Sequence, residues 1–239
     1  MSTSDMILNY ADSHDTFTLC ELANYVRSQE EISDSGILWH IKKLIKQNKL
    51  SRLTRGLYGS FIKREFTPML TNELKELYGD LASKFPLIDI VVYSGQDITA
   101  LQHHISANNA LYAEVTKEAS EAVFHYLIDK KIKAYHKPDS DFMCDYVDLA
   151  EQCVIVKPLV TESPVKKIDG ICTPTLEKLL VDINVDADFY YIQGIEASYI
   201  MENAKSRYQL NIPKMLRYAS RRGVKEKLQS YLKNDTDHD

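Results

Sequence analysis

At 239 residues, with 44% hydrophobic and 26% charged side chains, the chain can bury one large core or two modest ones, and its composition excludes a disordered polymer. Eight glycines and seven prolines are too few for a loop-rich all-β chain, and no stretch approaches the roughly 18–20 apolar residues of a membrane span. The formal charge of −5 excludes a uniformly basic protein, yet Ser35 to Arg64 carries Lys42, Lys43, Lys46, Lys49, Arg52, Arg55, Lys63 and Arg64 and no acidic residue, a local +8 against −13 elsewhere.

In chain order, Asp5 to Ala11 predicts a first helix and Thr16 to Thr18 a short strand. Thr18 followed by Glu21 is a capping box, and Leu19, Leu22, Ala23 and Val26 recur at helical spacing to about Arg27–Glu30. Ser33 is the expected N-cap of a third helix, with Asp34 and Ser35 at its positive end. Wound at about 100° per residue, that helix gathers Ile37, Leu38, Ile41, Leu44 and Ile45 on one face. Ser35, Trp39, Lys42, Lys43 and Lys46 gather on the other. Beyond Asn48-Lys49, alternation on either side of Gly56, from Leu50 to Phe61, reads as a tight hairpin.

Helix, short strand, helix, helix and hairpin, in that order, are the parts of a winged helix-turn-helix. The expected ligand is double-stranded DNA. Lysines on the third helix neutralise phosphates, short polar residues near its start reach base edges, and Arg52 and Arg55 lie on the wing. Trp39 is open to two readings, contact with sugar or a thymine methyl, or packing under the wing. A protein-docking winged helix is the competing use of the module.

Phe66-Thr67-Pro68 marks the boundary, giving domains 1–65 and 66–239. A helix is expected over Asn72–Lys84, the strongest strand over Leu87–Tyr93, and a helix over Asp97–Ile105. Strands at Leu111–Val115, Ile132–Tyr135 and Val154–Val156 flank a helix over Glu118–Ile128. This alternation predicts an α/β domain with a mixed or parallel sheet, making the protein α/β, or α+β taken overall, with a helical C-terminal part. Thr173 and Pro174 read as N-cap and first residue of one later helix, Asn211 and Pro213 as the start of the last. The last helix has Lys214, Arg217 and Arg221 opposite its apolar face, and Arg222, Lys225 and Lys227 continue the basic character. A solvated face and a contact surface for nucleic acid or an acidic protein both fit.

Catalytic sets are weak. His103 and His104 are adjacent and diverge on a helix instead of forming an i,i+4 metal pair. Ser94-Gly95-Gln96-Asp97 follows a strand, as a nucleotidyltransferase entry motif would, but Gln96 replaces a small residue and the next strand carries a lone Glu114. Glu114 to Lys117 is one residue too long for a nuclease acid-x-lysine set. Asp141/Asp145 and Asp186/Asp188 fall in loop-like sequence and read as solvated. No catalytic residue, metal or cofactor is therefore assigned. The scattered cysteines Cys20, Cys144, Cys153 and Cys172, without a CxxC pair or signal-peptide pattern, fit reduced thiols in a cytoplasm.

Arg55-Gly56-Leu57-Tyr58, read with Ile90–Tyr93, Leu101–His104, Val115–Phe124, Val156–Leu159, Thr173–Asp182, Gln193–Glu196 and Arg217–Arg222, resembles the AbiEi-type antitoxins of type IV toxin–antitoxin (abortive infection) systems, in a Bacteroides-like branch. The resemblance implies a non-enzymatic autorepressor whose winged helix binds operator DNA. Its C-terminal domain counteracts a nucleotidyltransferase-class toxin without requiring a stable complex. The family's DNA contacts map onto Ser35, Trp39, Lys42, Lys43, Lys46, Arg52 and Arg55, and Arg217, Arg221 and Arg222 are the candidates for the antitoxin surface. A nucleotidyltransferase- or nuclease-like enzyme delivered to nucleic acid by the winged helix is the alternative.

Overall fold

The structure, a computed structural model, describes residues 2–14, 16–47, 49–60, 64–103 and 107–233. Asn48, the Phe61 end of the expected hairpin, Lys63 of the basic segment, and His104 and Ile105 lie outside the described residues. The chain divides into two compact units, Met1–Arg64 and Glu65–Asp239.

In the first unit, α1 (Thr3–Ser13) is opened by a reciprocal cap between Ser2 and Asp5. A two-residue strand β1 (Phe17–Thr18) leads into α2 (Leu19–Arg27). The Thr18–Glu21 capping box forms as its residues require. Thr18 N–H donates to Glu21 Oε2 at 2.7 Å, and Glu21 N–H to Thr18 Oγ1 at 3.3 Å, so two of the helix's orphan donors are satisfied. α3 (Asp34–Lys46) is capped by Ser33, whose hydroxyl accepts from Gly36 N–H at 3.2 Å. β2 (Leu50–Thr54) and β3 (Leu57–Ser60) form an antiparallel hairpin, and β1 pairs with β3 to give the order β1-β3-β2. Thr54 faces Leu57 across the two-residue turn Arg55-Gly56, where Gly56 has φ +83°, a conformation that costs an L side chain about 1–2 kcal/mol. Ile7, Ala11, Phe17, Leu22, Val26, Ile37, Ile41, Leu44 and Leu50 close one core among these elements.

The second unit is built on a four-stranded mixed sheet of β4 (Ile90–Ser94), β5 (Leu111–Val115), β6 (Ala134–His136) and β7 (Val154–Pro158), in the order β4-β5-β7-β6. β4 runs antiparallel to β5, whereas β5–β7 and β7–β6 are parallel. Val92, Ala113, Val154 and Val156 face α4 (Asn72–Lys84) and α6 (Ser120–Asp129). Tyr93, Tyr112 and Ile155 face the other way, onto α8 (Leu176–Asp182), α9 (Ile195–Arg207) and α10 (Ile212–Arg221). Both faces are covered, which is why all five residues of β5 are buried. α11 (Lys225–Lys233) ends the described chain.

Five expectations are corrected. Asn211 and Pro213 start α10, which is not the last helix, because α11 follows it. The helix after β4 is the single turn α5 (Gln96–Thr99) and does not run to 105. Asp141 and Asp145 lie on an unforeseen helix, α7 (Ser140–Tyr146), although both are exposed as expected. A hairpin of β8 (Val165–Ile168) and β9 (Ile171–Pro174) takes up Thr173 and Pro174, so the N-cap of α8 is Thr175. Pro174 is tolerated because a two-stranded hairpin leaves an edge where a missing N–H disrupts no ladder. Asp186 and Asp188 are not solvated: they turn inward beside a 3-10 segment at Ala187–Ile192. Among the described residues, no helix is long and apolar enough to cross a membrane.

Candidate functional site

In the first unit, the two faces of α3 separate as its sequence demands. Ile37, Ile41 and Leu44 are buried, with Leu38 and Ile45 half-buried at the margins. Ser35, Trp39, Lys42, Lys43 and Lys46 are all exposed, and so are Arg52 and Arg55 on the hairpin. Among the described residues, no carboxylate forms an ion pair with Lys42, Lys43, Lys46, Arg52 or Arg55. Asp34, at the start of the same helix, is neutralised from behind by Arg27 of α2. The outward charge of this face is therefore almost wholly positive and available to an anion.

Trp39 is 58% exposed. The surrounding side chains hold its ring. His40 meets it edge-on with centroids 4.9 Å apart, and His40 Nδ1 lies 2.9 Å from Ser4 Oγ on α1. On the following turn Lys43 Nζ sits 5.2 Å from the indole centroid, a cation–π distance. Ser33 and Ser35 hydroxyls are 2.9 Å apart at the start of the helix.

The second unit contains a constellation that sequence reasoning missed. The pleat puts Glu114 on the Tyr112 face of β5 and Lys157 on the Ile155 face of β7, and the two residues stand in register on neighbouring parallel strands. α8 adds Lys178 and Asp182 one turn apart, the segment after it adds Asp186 and Asp188, and Arg222 follows α10. Lys157 Nζ donates to Asp186 Oδ2 at 2.7 Å and to Asp188 Oδ2 at 2.9 Å. Lys178 Nζ donates to Glu114 Oε1 at 2.7 Å and to Asp182 Oδ2 at 2.5 Å. The Tyr93 hydroxyl donates to Glu114 at 3.2 Å and the Tyr218 hydroxyl to Asp182 at 2.9 Å. Arg222 pairs with Asp186 and lies 3.6 Å from Asp182. A cavity of about 220 Å³ opens onto this cluster.

Three cations thus serve four carboxylates, and every one of these charged groups has a partner. Burial works against the Lys157 ammonium, yet Asp186, Asp188, Tyr93 and Glu114 hold its pKa well above the ordinary lysine value. Burial raises Asp182, against the pull of Lys178. Burial also opposes the Asp186 carboxylate, but Lys157 and Arg222 keep it below the usual range. Among the described residues, no group of three or more His, Cys, Asp or Glu side chains is arranged to hold a metal ion. The cluster ties β5, β7, α8 and α10 together across a polar seam of paired, largely buried charges.

The other sequence candidates fall as follows. Arg217 is exposed, whereas Arg221 pairs with Glu162 and with the Thr161 hydroxyl. Arg222 does not stand on an open basic surface, because its guanidinium turns into the buried network. Asp97 is also withdrawn: it is buried and accepts from the N–H of Met69 at 2.8 Å and of Ser94 at 3.4 Å. Burial outweighs those two donors and pushes its carboxyl up to about 6. Gly95 is small because Asn108 packs on it, and an added Cβ would lie 2.0 Å from Asn108 Oδ1. Asn108 in turn donates to the Tyr112 and Tyr191 hydroxyls. Packing therefore accounts for the glycine and the aspartate of Ser94-Gly95-Gln96-Asp97. His103 stacks on Tyr199, and its N–H donates to Glu196 at 2.7 Å.

No curated protein matches the chain. A family model matches residues 36–238, a span that starts inside α3 and takes in the hairpin and the whole sheet of the second unit. The chain belongs to that family, a family of unknown function (DUF6577).

Proposed function

We propose that the chain is a DNA-binding transcriptional autorepressor and antitoxin of AbiEi type, acting in the cytoplasm within a type IV toxin–antitoxin system. In this reading residues 1–64 are a winged helix-turn-helix. α3 enters the major groove of operator DNA, and the β2–β3 hairpin lies along the adjacent backbone. The second unit counteracts a nucleotidyltransferase-class toxin, with Arg217 and Arg221 left as the outward basic candidates. The observation that carries the reading is the set of five exposed cationic side chains on α3 and the hairpin, none paired to a carboxylate among the described residues. Unpaired surface cations are what phosphate neutralisation requires.

The test is a titration of the full chain into a labelled duplex carrying the sequence upstream of its own gene. Five phosphate contacts give a log–log salt slope of about −4 to −5. Lys43→Ala combined with Arg55→Ala should reduce that slope by about 2 and weaken binding to unrelated duplexes equally. A flat salt response, or unchanged affinity in the double variant, would sink the DNA-binding reading. Placing the gene beside one for a nucleotidyltransferase-like toxin, and rescue of growth when the two are expressed together, tests the antitoxin half.

A further inference from the structure

An indole left 58% exposed among lysines forgoes the stabilisation that burying it would bring, so its position asks for a ligand. We infer that Trp39 reads thymine: its ring meets the C5-methyl of one thymine in the major groove, an inference that rests on the DNA-binding reading above. Ser35, Trp39 and Lys43 are spaced by four, so they line one ridge of α3 with the indole between a short hydroxyl and an ammonium. In the major groove the thymine methyl is the one apolar group on a base edge, and it is the natural partner of an apolar side chain.

The ring is also held ready. His40, anchored to Ser4 of α1, braces one side, and Lys43 braces another. A side chain that is already oriented loses less rotamer freedom on binding. Lys43, engaged with the indole by its charge alone, keeps its donors for phosphate.

The experiment starts by selecting duplexes from a random pool with the full chain. Each thymine of the enriched site is then replaced, one at a time, by deoxyuridine, which removes only the methyl. At one thymine per bound α3, the replacement should weaken binding by about fourfold, the worth of one methylene-sized group. Trp39→Ala should bind thymine and deoxyuridine sites equally while keeping the wild-type salt slope, and Trp39→Phe should restore part of the preference. Lys43→Ala should do the reverse, lowering the slope by about 1 while keeping most of the preference, because His40 still braces the ring. Salt-dependent binding with no deoxyuridine penalty, or a penalty that survives in Trp39→Ala, overturns this inference alone. Failure to enrich any duplex overturns it together with the DNA-binding reading.

Discussion

The two units use the same cationic side chains in opposite ways. On α3 and the hairpin, lysine and arginine stand exposed with no ion-pair partner among the described residues. Around β5 and β7, Lys157, Lys178 and Arg222 are largely buried, and each is held by carboxylates. A charge in water loses little by being alone, so the first set is free for a ligand. A charge out of water is costly unless paired, so the second set is committed to its own protein. The position of the counterion, more than the residue type, separates a binding surface from a structural seam.

The comparison breaks most visibly at Lys178. Replacing it with alanine leaves Glu114 and Asp182 buried without their shared ammonium, and urea unfolding should show a loss of about 3–5 kcal/mol. A loss below about 1 kcal/mol would mean that the network is solvated and that its charges are available after all.

Asp97 sharpens the same point, because among the described residues its partners are two backbone donors and no cation. Its folded pKa, pushed up to about 6 from 3.8, means that the native state holds the proton more tightly than the unfolded chain does. That contribution is fully present below pH 3.8 and is lost as pH rises through about 6, amounting to up to about 3 kcal/mol. Stability of the wild type measured against Asp97→Asn across this window should therefore fall with rising pH. A parallel pH profile for the two proteins would show that Asp97 ionises as an ordinary carboxyl.

A smaller effect is expected in the first unit, where the Thr18–Glu21 box opens α2. Thr18→Ala should cost about 1 kcal/mol by thermal or urea unfolding. Smallest of all is the joint replacement Lys42→Ala, Lys43→Ala and Lys46→Ala. Stability should move by about 0.5 kcal/mol or less, while the salt slope of DNA binding falls by about 3. A large stability loss there would show that these lysines, like Lys178, are paired within the protein.

Much of the first unit was legible because its signals are local. Capping residues at Thr18 and Ser33, a 3.6-residue apolar period in α3 and a glycine between two alternating runs each act within a few residues of chain. The face of α3 that carries Ser35, Trp39, Lys42, Lys43 and Lys46 follows from that period alone, and the exposure of Trp39 does not fit packing under the hairpin. The four strands of the second unit's mixed sheet were legible for the same reason, whereas the β8–β9 hairpin was not.

The polar seam was not. Two faint marks of it stood in the sequence: a single charge amid the apolar runs LYAEV and VIVKP, and a lysine and an aspartate four apart in LEKLLVD. Reading them requires knowing that β5 lies beside β7 in a register that faces Glu114 with Lys157, although 42 residues separate them in the chain. The same long-range packing turned Asp186, Asp188 and Arg222 inward, set Asn108 against Gly95 and buried Asp97 beneath two backbone donors. By itself the sequence determined the helices of the first unit, the strands of the mixed sheet and the apolar face of α3, because those choices are settled by neighbouring residues, whereas α7, the β8–β9 hairpin and the short length of α5 were not among them. Only the tertiary structure decided which charges find partners, because ion pairing depends on distances that close when remote strands and helices pack.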